Sequence, residues 1–185
     1  VRAPPPPRAA QPPETGGRAH PPPAPAPAAA PRAVRRVTLP ASEPEGAPLG
    51  FLAAGRPGGD RVVFLHGSPG LGEEWDRFLV DAPAGRYYLA PDRPGFGASG
   101  ETPVTELAAQ AEAIRPLLGP EGTPPAVLVG YSYGGPVALR LAADYPDRVA
   151  GLLLVGSAAD PALEEIDPLQ EIAAAGFFAA LLPAE

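Results

Sequence analysis

The spacing of apolar residues changes several times along the chain, and each change marks a predicted element. Residues 34–39 and 49–53 read as two short strands joined by a Gly/Pro-containing turn at 43–48. Val62, Val63, Phe64 and Leu65 form an unbroken apolar run, which predicts a buried parallel strand over 61–65. Trp75, Phe78 and Leu79 then fall at helical spacing within 73–80, and 87–90 is the next strand. Leu107, Ala111, Ile114 and Leu118 lie on one stripe and predict a helix over 105–118. A strand at 126–129, a helix at 136–145 with Pro136 in its first turn, and a strand at 149–155 complete the pattern. Strand and helix alternate from residue 61 onward. That order predicts an α/β fold, a mostly parallel sheet with helices on both faces. No internal repeat is present.

The two ends have a different texture. Residues 1–33 are rich in Pro, Ala and Arg, with proline runs at 4–7 and 21–23. Proline cannot donate a ladder hydrogen bond, and the stretch has too few large apolar groups to offset chain entropy. It reads as a disordered or polyproline II tail, basic except for Glu14. Residues 159–185 carry a broken helical stripe at Leu163, Ile166, Leu169 and Ile172. An apolar end follows at Phe177, Phe178, Leu181 and Leu182. Such a segment needs a cover, and it is too short to span a bilayer. Residues 34–158 between these ends form the body of the domain.

Composition narrows the function classes. The 185 residues carry a net charge of −7, so the molecule as a whole has no general attraction for nucleic acid or an anionic membrane. Cys is absent, which removes disulfides and thiolate metal sites. No apolar run has the length of a membrane span and no signal peptide opens the chain, so the expected location is the cytoplasm. Met is absent too, even at position 1. That absence fits an alternative start codon, a processed end or a fragment. Oligomeric state is not specified by these features.

Chemistry enters at Gly130-Tyr131-Ser132-Tyr133-Gly134, a G-x-S-x-G motif between a predicted buried strand and a predicted helix. A strand that runs straight into a helix makes a sharp turn, with Ser132 exposed at its apex. The flanking glycines let strand and helix pass closely. The helix that follows points its N-terminal N–H groups at a developing oxyanion. The competing reading is a simple Gly-rich turn. A second motif, His66-Gly67-Ser68-Pro69-Gly70, follows the strand at 61–65. A third, Asp92-Arg93-Pro94-Gly95-Phe96-Gly97-Ala98-Ser99, follows the strand at 87–90.

With these three motifs in this order, the chain resembles the α/β-hydrolase superfamily from about residue 34 to residue 156. The resemblance implies a serine hydrolase of the α/β-hydrolase fold, esterase-like, with Ser132 as nucleophile. It implies oxyanion-hole N–H groups from Ser68, after the H-G pair, and Tyr133, after the nucleophile. In that family the histidine of the H-G loop is structural, so His66 is not expected to be the base. Ser68 as a rival nucleophile lacks the strand-to-helix elbow. The third motif reads as a structural turn near the site mouth, and Asp92 precedes the nucleophile whereas the family's acid follows it. The implied substrate is a small-molecule ester or amide, with no metal and no organic cofactor. A proline-releasing aminopeptidase is the enzymatic alternative.

The pattern then breaks. The family order is Ser, acid, His. The two histidines here are His20 and His66, and neither follows Ser132. Asp160, or less well Glu164, could stand where some branches place the acid, although Asp160 before Pro161 also reads as a turn residue. The fold is therefore expected to be incomplete at its C-terminus, with 159–185 beginning a helical cap or a core helix. The chain by itself is expected to be nearly inactive. A non-catalytic binding module, or the product of an interrupted gene, is the alternative.

Overall fold

A computed structural model of the chain describes residues 32–41 and 47–157. Residues 1–31 of the tail, most of the turn at 43–48, and the segment holding Asp160 and Glu164 lie outside these residues. Among the described residues, six strands form one sheet: β1 (Arg35–Leu39), β2 (Leu49–Gly55), β3 (Arg61–Leu65), β4 (Tyr87–Pro91), β5 (Ala126–Tyr131) and β6 (Val149–Val155). Three helices of the described residues accompany them: α1 (Asp76–Asp81), α2 (Leu107–Ile114) and α3 (Gly134–Asp144). The spatial order is β1-β2-β4-β3-β5-β6. The β1–β2 and β2–β4 pairs are antiparallel, and β4, β3, β5 and β6 run parallel.

Each element expected between residues 34 and 155 is present, and the small differences have local causes. The first helix begins as a 3₁₀ turn, Gly72–Trp75, before α1. The helix expected over 105–118 is α2 followed by a 3₁₀ turn, Arg115–Leu118. Pro116 has no N–H to continue the α-helical ladder, so the last turn tightens. Strand β5 runs two residues further than its apolar run, to Tyr131, and α3 starts at Gly134.

Side chains alternate between the two faces of the central strands. Val63, Leu65, Leu89, Ala126 and Leu128 pack beneath Ala111, Ile114, Val137 and Leu141 of α2 and α3. Val62, Tyr88, Ala90 and Val129 face Trp75 and Leu79 on the α1 side. Burial on both faces explains why these strands read as continuous apolar runs rather than as alternating ones. At the N-terminal side, the Arg32 backbone N–H donates to Val80 O (3.1 Å) and its Nε to Ala82 O (2.6 Å), which ties the chain to the end of α1. Among the described residues no helix is long and apolar enough to cross a membrane.

Leu128 is fully buried on β5 between the sheet and α3. Leu128→Ala should remove about 3 kcal/mol of stability, the transfer loss plus a cavity that rigid neighbours cannot refill. Urea unfolding measures this, and a loss below about 1 kcal/mol would contradict the described core.

Candidate active site

Strand β3 has β4 on one side and β5 on the other, so the chain changes direction of winding across it. In open α/β sheets, ligands bind outside the carboxyl ends of the strands at such a switch point. The three motif loops leave β3, β4 and β5 at that edge. Leu65 pairs with Gly130, so the chains leaving β3 and β5 are neighbours there.

Ser132 has φ +49°, the left-handed region, and no other described residue except glycine has a positive φ. For a residue with a Cβ this costs of order 1–3 kcal/mol, so the surroundings must enforce it. Its backbone N–H donates to Val155 O (3.0 Å), and its carbonyl accepts from the Gly135 N–H (3.0 Å). These bonds pin the turn between β6 and the start of α3. Glycine is required on both sides. A Cβ on Gly130 would lie 2.6 Å from the Gly135 Cα, and one on Gly134 would strike the Leu65 carbonyl oxygen. Gly67 is tight but less so on the other flank, where a Cβ would sit 3.1 Å from the Cβ of Ser132 and 3.2 Å from the Tyr131 ring. The elbow and the end of β3 thus pack backbone to backbone, and the loop after β3 lies against the elbow's side chains.

His66 lies beneath this packing with no exposed surface. Its Nε2 is 2.9 Å from the Arg93 backbone N–H, which can only donate. Nε2 is therefore the acceptor, and the proton sits on Nδ1, 2.8 Å from the Gly67 carbonyl. Burial lowers the imidazole pKa from 6.5 to about 4, and the neighbouring Arg93 charge adds to the lowering. A neutral histidine with both nitrogens engaged cannot take a proton from Ser132.

Asp92 is equally committed. One carboxylate oxygen accepts from Gly72 N–H (2.8 Å), the other from Ala98 N–H (2.9 Å) and Arg36 Nη1 (2.7 Å). Arg36 also pairs with Glu73. The Ser99 hydroxyl donates to Asp92 O (2.6 Å) and accepts from Gly50 N–H (2.9 Å). Gly95 and Gly97 take positive φ, and a Cβ on Gly97 would meet the Asp92 carboxylate. The third motif is a closed turn latched onto β2.

Two polar residues here were not singled out from the sequence. Arg93 is 1% exposed, and its guanidinium donates to His66 O (3.0 Å), Gly67 O (2.7 Å) and Gln110 Oε1 (2.7 Å). It lies between the rings of Phe96 and Tyr133, each centroid 4.8 Å from Cζ. Burial pushes the guanidinium pKa down. Gln110 is buried on α2 and also donates to Val104 O (2.7 Å). Gln110 left a signal, because it is a polar residue beside the Leu107–Ala111–Ile114 stripe. Arg93 left none, since arginine in a loop is ordinarily exposed.

The residues expected to act are brought together. Ser68 follows Gly67 beside the elbow, and Tyr133 is the residue between Ser132 and α3. Among the described residues, neither the Ser68 nor the Tyr133 backbone N–H has an acceptor, and the Ser132 hydroxyl has no hydrogen-bond partner. No three His, Asp or Glu side chains of the described residues converge as a metal site.

The fold matches that of known proteins. Residues 60–181 match the alpha/beta hydrolase fold family. A lipase of Mycobacterium tuberculosis is 38% identical over 109 residues, 59% of this chain and 40% of that protein. An esterase of the same organism is 38% identical over 123 residues, 64% of this chain and 41% of that one. The solved structure of a 2-hydroxy-6-oxo-6-phenylhexa-2,4-dienoate hydrolase from a Rhodococcus species superposes with a TM-score of 0.64 at 27% identity. That match covers 80% of this chain and 54% of the other. The chain thus spans about 40% of the length of the curated relatives it matches.

Two outcomes follow from the buried geometry. Ser132→Gly relieves the positive φ and should raise stability by about 1 kcal/mol in thermal or urea unfolding; a loss of stability would contradict the strained elbow. His66 binds its proton more weakly folded than unfolded. Its contribution is full above pH 6.5 and is lost as pH falls through about 4. The loss amounts to about 3 kcal/mol. Unfolding midpoints between pH 7 and 4 should fall more steeply for the natural chain than for His66→Asn, and parallel curves would remove His66 as the cause.

Proposed function

This chain belongs to the α/β hydrolase fold family, and on that premise we propose that it carries the nucleophile and oxyanion hole of a serine hydrolase acting on an ester or amide. The observation that carries the proposal is the left-handed Ser132 at the turn from β5 into α3. A strained apex is held there against its own preference, and it presents a hydroxyl without a hydrogen-bond partner among the described residues. The relatives named as a lipase and an esterase favour a carboxylic ester.

In this reading, Ser132 Oγ attacks the substrate carbonyl carbon. A C–O bond forms, and the carbonyl π electrons move onto the oxygen. The Ser68 and Tyr133 N–H groups, with the positive end of α3 behind the latter, hold that oxyanion. The serine proton passes to a base and then to the leaving alcohol or amine. Water repeats the sequence on the acyl-enzyme. Neither histidine of the 185 residues fills the role of base, since His66 is engaged at both nitrogens and His20 belongs to the proline-rich tail. A comparable triad loses about a millionfold without its histidine, keeping roughly 10³–10⁴ over water from the oxyanion hole and binding. These 185 residues alone should therefore turn esters over very slowly.

A fluorophosphonate tests the nucleophile without needing turnover. Ser132 Oγ would form a bond to phosphorus as fluoride leaves, with the proton taken by imidazole added to the buffer. Labelling should be slow, accelerated by imidazole, located at Ser132, and abolished in Ser132→Ala. A folded chain that stays unlabelled even with imidazole, or that labels elsewhere, would point instead to a non-catalytic binding module.

A further inference from the structure

The guanidinium of Arg93 is placed unusually for a buried charge. It is 1% exposed, and among the described residues no carboxylate lies within ion-pair distance of it. Its sequence neighbour Asp92 is occupied by Arg36 and two backbone N–H groups. Desolvating a cation without a carboxylate in contact is expensive, and three neutral oxygens with the more distant Glu74 only partly offset it. A role in packing alone would be met by an uncharged side chain at lower cost. What distinguishes the site is where the donors go. Nε and Nη2 grip the consecutive carbonyls of His66 and Gly67, and Gly67 O also receives the His66 Nδ1 proton.

The Gly67 carbonyl shares one planar peptide group with the Ser68 N–H, and in a trans peptide the two point in opposite directions. Holding the oxygen therefore aims the N–H. A charge-assisted bond to the oxygen also polarises the amide and makes its N–H a stronger donor. The positive charge, with Glu74 acting on it only from beyond ion-pair distance, works in the same sense, because it favours negative charge arriving on the far side of that peptide. The rings of Phe96 and Tyr133 hold the guanidinium in plane, and Gln110 fixes its remaining end.

We propose that Arg93 is a positioning residue for the oxyanion hole: it orients and polarises the Gly67–Ser68 peptide, and its charge, held out of direct contact with any described carboxylate, strengthens the hold of Ser68 N–H on the oxyanion. This rests on the assignment of Ser132 and Ser68 above. Arg93 itself touches no reacting atom. Lysine is not equivalent, because a single ammonium cannot span two carbonyls as the planar fork does.

The test is the imidazole-assisted phosphonylation of the whole chain, read as a saturable process with separate inactivation rate and probe affinity. Ser132→Ala reports on the parent assignment and Arg93 variants on this one. Removing one oxyanion donor outright typically costs about 100- to 1000-fold. Loosening it by Arg93→Gln should slow inactivation by roughly 10- to 100-fold at nearly unchanged probe affinity, with Arg93→Lys recovering part of the rate. Gln110→Glu keeps the shape and gives the guanidinium a counter-charge, so it should slow inactivation as well while the protein stays folded. A folded Arg93→Gln that reacts at the natural rate, with the label still on Ser132, overturns the proposal and leaves the nucleophile intact. If Arg93→Gln does not fold, Gln110→Glu decides, and an unchanged inactivation rate there overturns it. Loss of Ser132 labelling in the natural chain would instead remove the parent assignment.

Discussion

The backbone of the first turn of α3 lies directly on the carbonyls that end β3. Gly134 faces the oxygens of Leu65 and His66, Gly130 faces Gly135, and Gly67 faces Ser132. At Gly130 and Gly134 the nearest atoms are backbone, while Gly67 meets the side chains of Ser132 and Tyr131. Removing side chains there brings a strand end, a helix start and a loop into register within a few ångströms, and Ser132 is forced into the left-handed region as a result. Everything that makes the site a site follows from this contact. The serine stands at the apex, the neighbouring loop lies beside it, and two backbone N–H groups are left without acceptors among the described residues.

Beneath that contact is a buried polar layer. His66, Asp92, Arg93, Ser99 and Gln110 are all nearly inaccessible, and each is matched by donors or acceptors. Buried polar groups of this kind are costly when any partner is missing and rigid when none is. The layer joins the three motif loops to one another, with Arg93 reaching the loop after β3 and the helix α2 at once. Loops that leave adjacent strands would otherwise move independently. Here they are held as one body at the end of the sheet.

The sheet is covered unevenly. Helices α2 and α3 close one face, and the Gly72–Trp75 turn with α1 closes part of the other, α1 over β2 and the turn over β2, β3 and β4. On the α1 side, Leu153 and Val155 of β6 and Phe78 of α1 expose apolar surface among the described residues. Burying such surface is the main favourable term in folding, so this is the weakest-covered part of the domain. It lies at the side of the site where Ser132 is tied to Val155, so the order of β6 and the order of the elbow are linked.

Most of the fold was legible because burial on both faces of a strand, or one face of a helix, writes itself into apolar spacing. The strands β3 to β6 and the helices α2 and α3 follow from that pattern to within a few residues. The order of the three motifs, and the glycines around Ser132, were legible for a steric reason: a turn that admits no Cβ leaves glycine as its mark. Partnerships were not legible. Nothing in the letters says that Asp92 is taken by Arg36 and backbone N–H groups, that His66 is held neutral with both nitrogens engaged, or that Arg93 is buried. These depend on residues from different loops meeting at the end of the sheet, and spacing along one segment does not encode contacts between segments. The sequence by itself determined the α/β alternation and the place of the serine. Only the tertiary structure decided which polar groups around it are free to act, because hydrogen bonding and desolvation are properties of the packed neighbourhood.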